Sequence, residues 1–370
     1  MELDQKMQAE SNYHPYAFKR AEASRYIRLL RVIPRYKDDK ETTIKCQFLS
    51  KRRVDGQSSL PPENLEYTAL SYEWGTASQM EDIVEIKINN RPFYVRQNLS
   101  AFLLAMRNKG NEGPFWIDAI CIDQLNDGEK SMQLELVPTI YSQAKEVLIW
   151  LGDGKMSMIQ WTVLRFSDVT GTSYYHGRFL KPMWGLYKML IQPGVRFLAE
   201  NTYWTRLWIV QEVLKAHHVK VLAADQEWYL EELKNLRKMM SSSSSINWKC
   251  WEDVVEARSG WNKEEHELHD VIDRWSQQGC RDTQDKVYGL LGLVTSPRLR
   301  VDFKKTPFDL FKEVLQLERE KIYAIGYEYA DKFSLKLMES LNLADDENAI
   351  RVRDKFLQKC LNLPYRQRNI

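Results

Sequence analysis

No stretch of the sequence approaches the roughly 18 consecutive apolar residues that a membrane-spanning helix needs. The opening MELDQKMQAESNYHPY is polar and lacks the apolar run of a secretory signal. Cysteine is sparse and scattered: five residues, at 46, 121, 250, 280 and 360, form no CxxC pair. An odd, dispersed set argues against a disulfide framework or a zinc site and points to a reducing, cytoplasmic setting. An excess of one charge is missing too, because 53 Lys and Arg face 51 Asp and Glu for a formal net charge of +2. Neither a nucleic-acid footprint nor a polybasic membrane patch is expected from that balance. Internal repeats are absent, and no His, Asp and Ser combination stands at a recognisable spacing. Gly152 and Gly154 alone do not make a phosphate-cradling loop, so no metal and no resident cofactor is expected.

What is present is core-forming material. Hydrophobic residues make up 44% of the 370 and aromatics 12%, enough for about two domains. After a polar leader over 1–24, residues 25–34 and 42–49 alternate as strands do, and 51–63 reads as a polar loop. Residues 67–74 form a strand with few charges, as expected when both faces are covered. Residues 83–88 and 93–95 flank Asn89-Asn90 and predict a hairpin. Asn98 is placed to cap a helix over 99–107. The nearly continuous apolar run 115–122 reads as another strand, with Asp118 inside it. A helix over 128–145 follows, which Pro138 should kink or divide, and then a short strand over 147–151. Residues 204–216 read as helix, 219–223 as strand and 228–240 as helix. This alternation predicts an α/β core with a largely parallel sheet flanked by helices. Residues 153–200 stand out as an aromatic and glycine-rich insertion, and 241–245 as a serine linker. Helices over 282–293 and 306–321 predict a mainly helical C-terminal region, 246–370.

Several side chains carry chemistry. On a wheel of about 100° per residue, Leu207, Ile209, Val210, Val213 and Leu214 share one arc of the 204–216 helix. Trp204, Trp208, Gln211 and Lys215 fall opposite, with Glu212 at the edge. Tryptophans facing away from an aliphatic arc need a second surface: a ligand, a partner, or the 153–200 insertion folding over them. Glu212 is then either a solvated helix residue or a working carboxylate, and Arg206 a cap, a pair or a phosphate contact. Asp118, if buried in a strand, must be hydrogen-bonded; it either locks a loop or lines a site. Ligands of open α/β sheets bind beyond the carboxyl ends of the strands. Ser71, Tyr72, Glu73, Trp74 and Gly75 occupy one such end and Asp123-Gln124 another. Cys121 reads as a small core residue.

Three blocks also resemble a known family. They are Tyr67-Thr68-Ala69-Leu70-Ser71-Tyr72-Glu73-Trp74-Gly75; Trp116-Ile117-Asp118-Ala119-Ile120-Cys121-Ile122-Asp123-Gln124 with Glu129, Gln133 and Val147–Gly152 behind it; and Trp204-Thr205-Arg206-Leu207-Trp208-Ile209-Val210-Gln211-Glu212. In order and spacing they resemble the fungal heterokaryon incompatibility (HET) domain, here spanning 25–240 with its core blocks over 67–212. Asp285-Lys286-Val287-Tyr288-Gly289 resembles an element that often follows that core. The resemblance implies a role in non-self recognition and programmed cell death, through self-association or another incompatibility protein. HET domains in turn resemble TIR domains in strand and helix order, which implies a TIR-like core. Several TIR domains cleave NAD with a glutamate four residues after a tryptophan, the spacing of Trp208 and Glu212. The resemblance thus implies NAD as a substrate, Glu212 as the catalytic residue, and Ser71, Tyr72, Trp74, Asp118, Arg206 and Trp208 as substrate contacts. The other reading is a non-enzymatic scaffold that recruits partners through the same surface.

Overall fold

The computed structural model describes residues 18–35, 42–49, 51–54, 66–75, 82–154, 184–240, 246–261, 266–295 and 299–362. The start of the polar leader, most of the 51–63 loop, residues 155–183 of the insertion and the serine run 241–245 lie outside them. The chain divides into two compact units, Met1–Trp204 with Lys215–Ser259, and Thr205–Leu214 with Gly260–Ile370.

The first unit is mixed α/β. Among the described residues nine strands form one sheet, in the order β11-β10-β9-β5-β8-β2-β3-β6-β7. They are β2 (Leu30–Val32), β3 (Lys45–Phe48), β5 (Thr68–Tyr72), β6 (Ile83–Ile88), β7 (Arg91–Arg96), β8 (Phe115–Trp116), β9 (Glu146–Trp150), β10 (Val219–Ala223) and β11 (Gln226–Tyr229). A small separate pair joins β1 (Tyr26–Ile27) to β4 (Arg52–Arg53). The pairings β10–β9, β9–β5 and β5–β8 are parallel, so the centre is parallel, while antiparallel partners flank it at β11 and β2. β5 and β9 are buried along all but their first residue, as strands covered on both faces must be. Successive side chains of a strand point to opposite faces, and β8 uses both. Phe115 packs edge-on against Phe102 of the Gln97–Lys109 helix, and Trp116 against Tyr141 of the Asp127–Gln143 helix. These helices therefore cover opposite faces of the sheet centre. Among the described residues no helix is long and apolar enough to cross a membrane.

Several local expectations change. The 25–34 strand is two short strands, β1 and β2. The hairpin β6–β7 forms as expected, with Asn89 and Asn90 at φ 51° and 64° in its two-residue turn. Asn98 is not a cap: the helix starts at Gln97 behind Arg96, and the Asn98 side chain serves tertiary bonds described below. The 115–122 run is strand only at Phe115–Trp116, then turns into the helix Asp118–Cys121. A short apolar run buried on every side carries no period that separates strand from helix. Pro138 does not divide its helix, which runs over Asp127–Gln143 from an Asn126 cap whose side chain accepts from the Glu129 N–H. Trp228 lies on β11, paired with Val221 of β10, and the helix begins only at Leu230.

One buried ion pair anchors the first unit. Arg28, between β1 and β2, is 1% exposed and Glu129 5%. The guanidinium grips both carboxylate oxygens at 2.5 and 2.9 Å and also donates to the Cys121 carbonyl at 2.8 Å. Glu129 accepts in addition from the Asp123 N–H at 2.8 Å. Each charge is therefore neutralised and bonded, the condition for keeping it out of water.

The second unit is helical: Leu268–Trp275, Asp285–Tyr288, Pro307–Ile325, Tyr327–Ser340 and Glu347–Leu361, with the Trp208–Lys215 helix up to Leu214 contributed from earlier in the chain. Pro307 opens the longest of these behind Thr306, whose hydroxyl accepts from the Asp309 N–H. The predicted single helix over 204–216 is broken. Residues 202–205 form a 3-10 turn, and Leu207 N–H donates to the Gly279 carbonyl at 2.7 Å while Gly279 N–H donates to Thr205 at 2.6 Å. That short parallel bridge takes the backbone groups an uninterrupted helix would use. Within this unit His269 Nδ1 sits 2.7 Å from Glu318, with Lys321 at 3.8 Å from the same carboxylate. Burial acts to raise the Glu318 carboxyl, but the His269 ring and backbone bonds and the Lys321 charge outweigh it and hold it below its ordinary value.

Two measurements test these contacts. Arg28→Met strands Glu129 as an uncompensated buried charge and should lower the unfolding free energy of the first unit by about 3–5 kcal/mol in urea titration. Adding Glu129→Leu should recover most of that loss. For Glu318 the folded carboxyl ionises below its unfolded value. Its contribution is therefore present above the ordinary carboxylate range and disappears as pH falls through the lowered value. The urea midpoint should drop as pH falls through and below the ordinary carboxylate range, and less steeply in Glu318→Gln.

Candidate functional site

The carboxyl ends of β5, β8 and β9 emerge on one edge of the sheet. From β5 the chain travels through the β6–β7 hairpin to β8 on one side, whereas from β9 it travels to β10 on the other. The gap between the ends of β5 and β9 is therefore the point where the topology reverses, the position at which α/β sheets bind ligands.

Asn98 holds that gap together. Its Nδ2 donates to the Glu73 carbonyl at 2.6 Å, just past β5, and its Oδ1 accepts from the Trp150 indole at 2.9 Å, at the end of β9. Gly75 and Gly152 lie close on either side at φ 77° and 94°, left-handed backbone that favours glycine. A Cβ on either glycine would stand 3.8 Å from the Asn98 side chain. Asn201 donates to the Leu151 carbonyl at 3.1 Å, and the Thr202 hydroxyl donates to Glu73 Oε2.

The expected site residues divide between the units. In the first, Ser71 is buried and its hydroxyl lies 2.6 Å from the Tyr203 hydroxyl, while Tyr72 is buried. Trp74 is half-buried and its indole N–H donates to Asp118 Oδ2 at 2.9 Å. The Arg96 guanidinium lies 5.4 Å from the Trp74 ring and donates to the Gly75 carbonyl. Asp118 is half-buried rather than locked in a strand. Its Oδ1 accepts from the Ala119 N–H at 2.7 Å, so it opens the helical turn and anchors Trp74 at once. The structure thus brings Trp74 and Asp118 together. Cys121 is not on a pleat with Ile117; its sulfur accepts from the Ile117 N–H within that turn. Burial pushes its thiol up to about 12, so it is protonated near neutral pH and no nucleophile. Burial likewise raises Asp123.

In the second unit Trp208 is half-buried, and its indole N–H donates to buried Asp285 at 3.0 Å. Arg206 is half-buried beside the Gly279 bridge. Glu212 is only 7% exposed and Gln211 1%, so the face expected to be polar is covered. Trp204 belongs to the first unit instead. It is fully buried outside the helix, with its indole N–H on the Leu198 carbonyl at 2.7 Å. Leu198 is part of the Trp184–Ala199 helix, the end of the 153–200 segment. Among the described residues no group of three or more His, Cys, Asp or Glu could hold a metal.

Sequence reasoning missed Asn98 as a hub, along with Tyr203, Thr202 and Asp285. Asn98 carried a signal, a small amide ahead of an apolar helix, but that signal equally describes a cap. Removing it as Asn98→Ala leaves the buried Trp150 indole without its side-chain acceptor and should cost about 1–3 kcal/mol in urea unfolding. In a double-mutant cycle with Trp150→Phe the two losses should be less than additive.

Residues 67–212 match the family model described as Heterokaryon incompatibility protein (HET). The Neurospora crassa "Heterokaryon incompatibility protein 6, OR allele" is 36% identical over 102 residues, 25% of this chain and 15% of that protein. The chain thus matches only a small part of that relative's length. No solved structure matches this chain.

Proposed function

We propose, from the match of residues 67–212 to the heterokaryon incompatibility (HET) family model, that this chain acts in fungal non-self recognition and programmed cell death by cleaving NAD. The observation that carries the reading is Glu212, a carboxylate only 7% exposed, one helical turn beyond half-buried Trp208. A buried carboxylate must do structural or chemical work, since burying it idle is costly. The chemistry it would serve needs little machinery. The nicotinamide of NAD is already a cationic leaving group, so no general acid has to protonate it. One carboxylate near the ribose can orient hydroxyls or stabilise the oxocarbenium-like transition state, as one half of a glycosidase pair does. Trp208, in the same unit as Glu212 and half-buried with its N–H fixed by Asp285, would offer a ring face to nicotinamide or adenine. Arg206, two residues before Trp208 in that unit, would meet a phosphate. Assembly of several copies, or capture of another incompatibility protein in the cytoplasm, would couple recognition to NAD loss.

A second reading is a non-enzymatic scaffold. It is favoured by the fact that Ser71, Trp74, Asp118 and Trp208 all spend hydrogen bonds inside their own units. Nicotinamide release from NAD by purified full-length chain separates the two. The enzymatic reading expects release by the wild type and at least a hundredfold less, on the order of a lost electrostatic catalyst, from Glu212→Gln. Equal release from both, or retained toxicity of a stably folded Glu212→Gln in cells, favours the scaffold.

A further inference from the structure

We propose that Glu73 is a ligand-contacting carboxylate of the β5–β9 gap and that it receives the paired hydroxyls of a ribose. The inference rests on the NAD reading for its ligand class, but its residues come from the first unit alone. Glu73 follows the last residue of β5, the strand flanked on both sides by parallel neighbours, at the point where the topology reverses. Three contacts fix it there. Asn98 holds its carbonyl at 2.6 Å, Thr202 holds one carboxylate oxygen at 2.5 Å, and the adjoining Trp74 is pinned by Asp118 at 2.9 Å. The other carboxylate oxygen, Oε1, carries no hydrogen bond among the described residues, and the side chain is half-exposed.

An ordinary surface glutamate has neither a fixed backbone nor an oriented head group. Here the strand end, the amide of Asn98 and the hydroxyl of Thr202 remove most of that freedom before any ligand arrives, which lowers the entropic cost of binding. An ionised carboxylate is an acceptor only, so its partner must donate. Vicinal sugar hydroxyls supply two donors at the spacing of one carboxylate. Carboxylates after sheet strands are used for ribose hydroxyls in dinucleotide sites generally. The half-buried Trp74 ring next to it supplies an apolar plane for a base, and the Arg96 guanidinium near that ring a positive charge for a phosphate. Carboxylate, ring and guanidinium together fit a nucleotide with an intact ribose.

The test is calorimetric titration of the full-length chain with ADP-ribose and with an analogue lacking both hydroxyls of the terminal ribose. Wild type should bind ADP-ribose about ten- to a hundredfold more tightly than Glu73→Gln, the value of one to two charge-assisted bonds. Thr202→Val, which frees the carboxylate, should fall between them. The dihydroxyl-free analogue should bind wild type and Glu73→Gln alike, a result that a merely structural role would not produce. Unchanged thermal unfolding of Glu73→Gln keeps the comparison clean. Equal binding of ADP-ribose by wild type and Glu73→Gln overturns the assignment, and so does a wild type that binds no ADP-ribose. Nicotinamide release measured on the same samples tells whether the NAD reading falls with it or survives without Glu73.

Discussion

The guanidinium of Arg28 reaches a carboxylate 101 residues later in the sequence, and both groups are out of water. A charge in such a place has few acceptable arrangements, so the pair fixes the surrounding backbone as well as itself. Arg28 holds the Cys121 carbonyl at the close of the Asp118–Cys121 turn, and Glu129 holds the Asp123 N–H just beyond it. The turn that presents Asp118 is therefore positioned from behind by the pair. Asp118 in turn positions Trp74, so the orientation of a ring at the sheet edge traces back to a salt bridge in the interior.

The second organising contact is Asn98. It binds the ends of β5 and β9 across the reversal point with one amide, using the donor on one strand end and the acceptor on the other. Two left-handed glycines flank it and let both loops bend away from the sheet. The same amide closes the gap from below and leaves Glu73 and Trp74 standing at its rim. A cation, an aromatic plane and a carboxylate are thus assembled at one edge by bonds that are all internal to the first unit.

Much of the sheet was legible because period-2 alternation and covered strands leave direct marks. The parallel centre follows from β5 and β9 carrying almost no charge, as strands covered on both faces do, and the hairpin from Asn89-Asn90. The region around Asp118 was not legible. Apart from Asp118, residues 117–122 are apolar whether they run as strand or turn, and the turn is held by bonds such as that of Arg28 on the Cys121 carbonyl. The helix around Trp204 failed for a related reason. Its wheel assumed continuous backbone hydrogen bonding, but Gly279, from a distant part of the sequence, takes those groups. Asn98 and Trp208 show the common limit: the residue type predicts that a polar atom needs a partner, and the partner lies far along the chain.

The bridge between Leu207 and Gly279 also bears on how this chain comes into being. Thr205–Leu214 belongs to a unit whose remaining residues begin at Gly260, while the chain between them completes the sheet of the other unit. During synthesis, Leu207, Ile209, Val210, Val213 and Leu214 leave the ribosome well before the segment that buries them. The first unit can gain all its strands while this apolar stretch still waits, an interval in which exposed hydrophobic surface invites misassembly. A protein shortened before Gly279 would lack the backbone groups that Leu207 and Thr205 bond. The later unit is therefore the chaperone of a ten-residue loan made earlier in its own sequence.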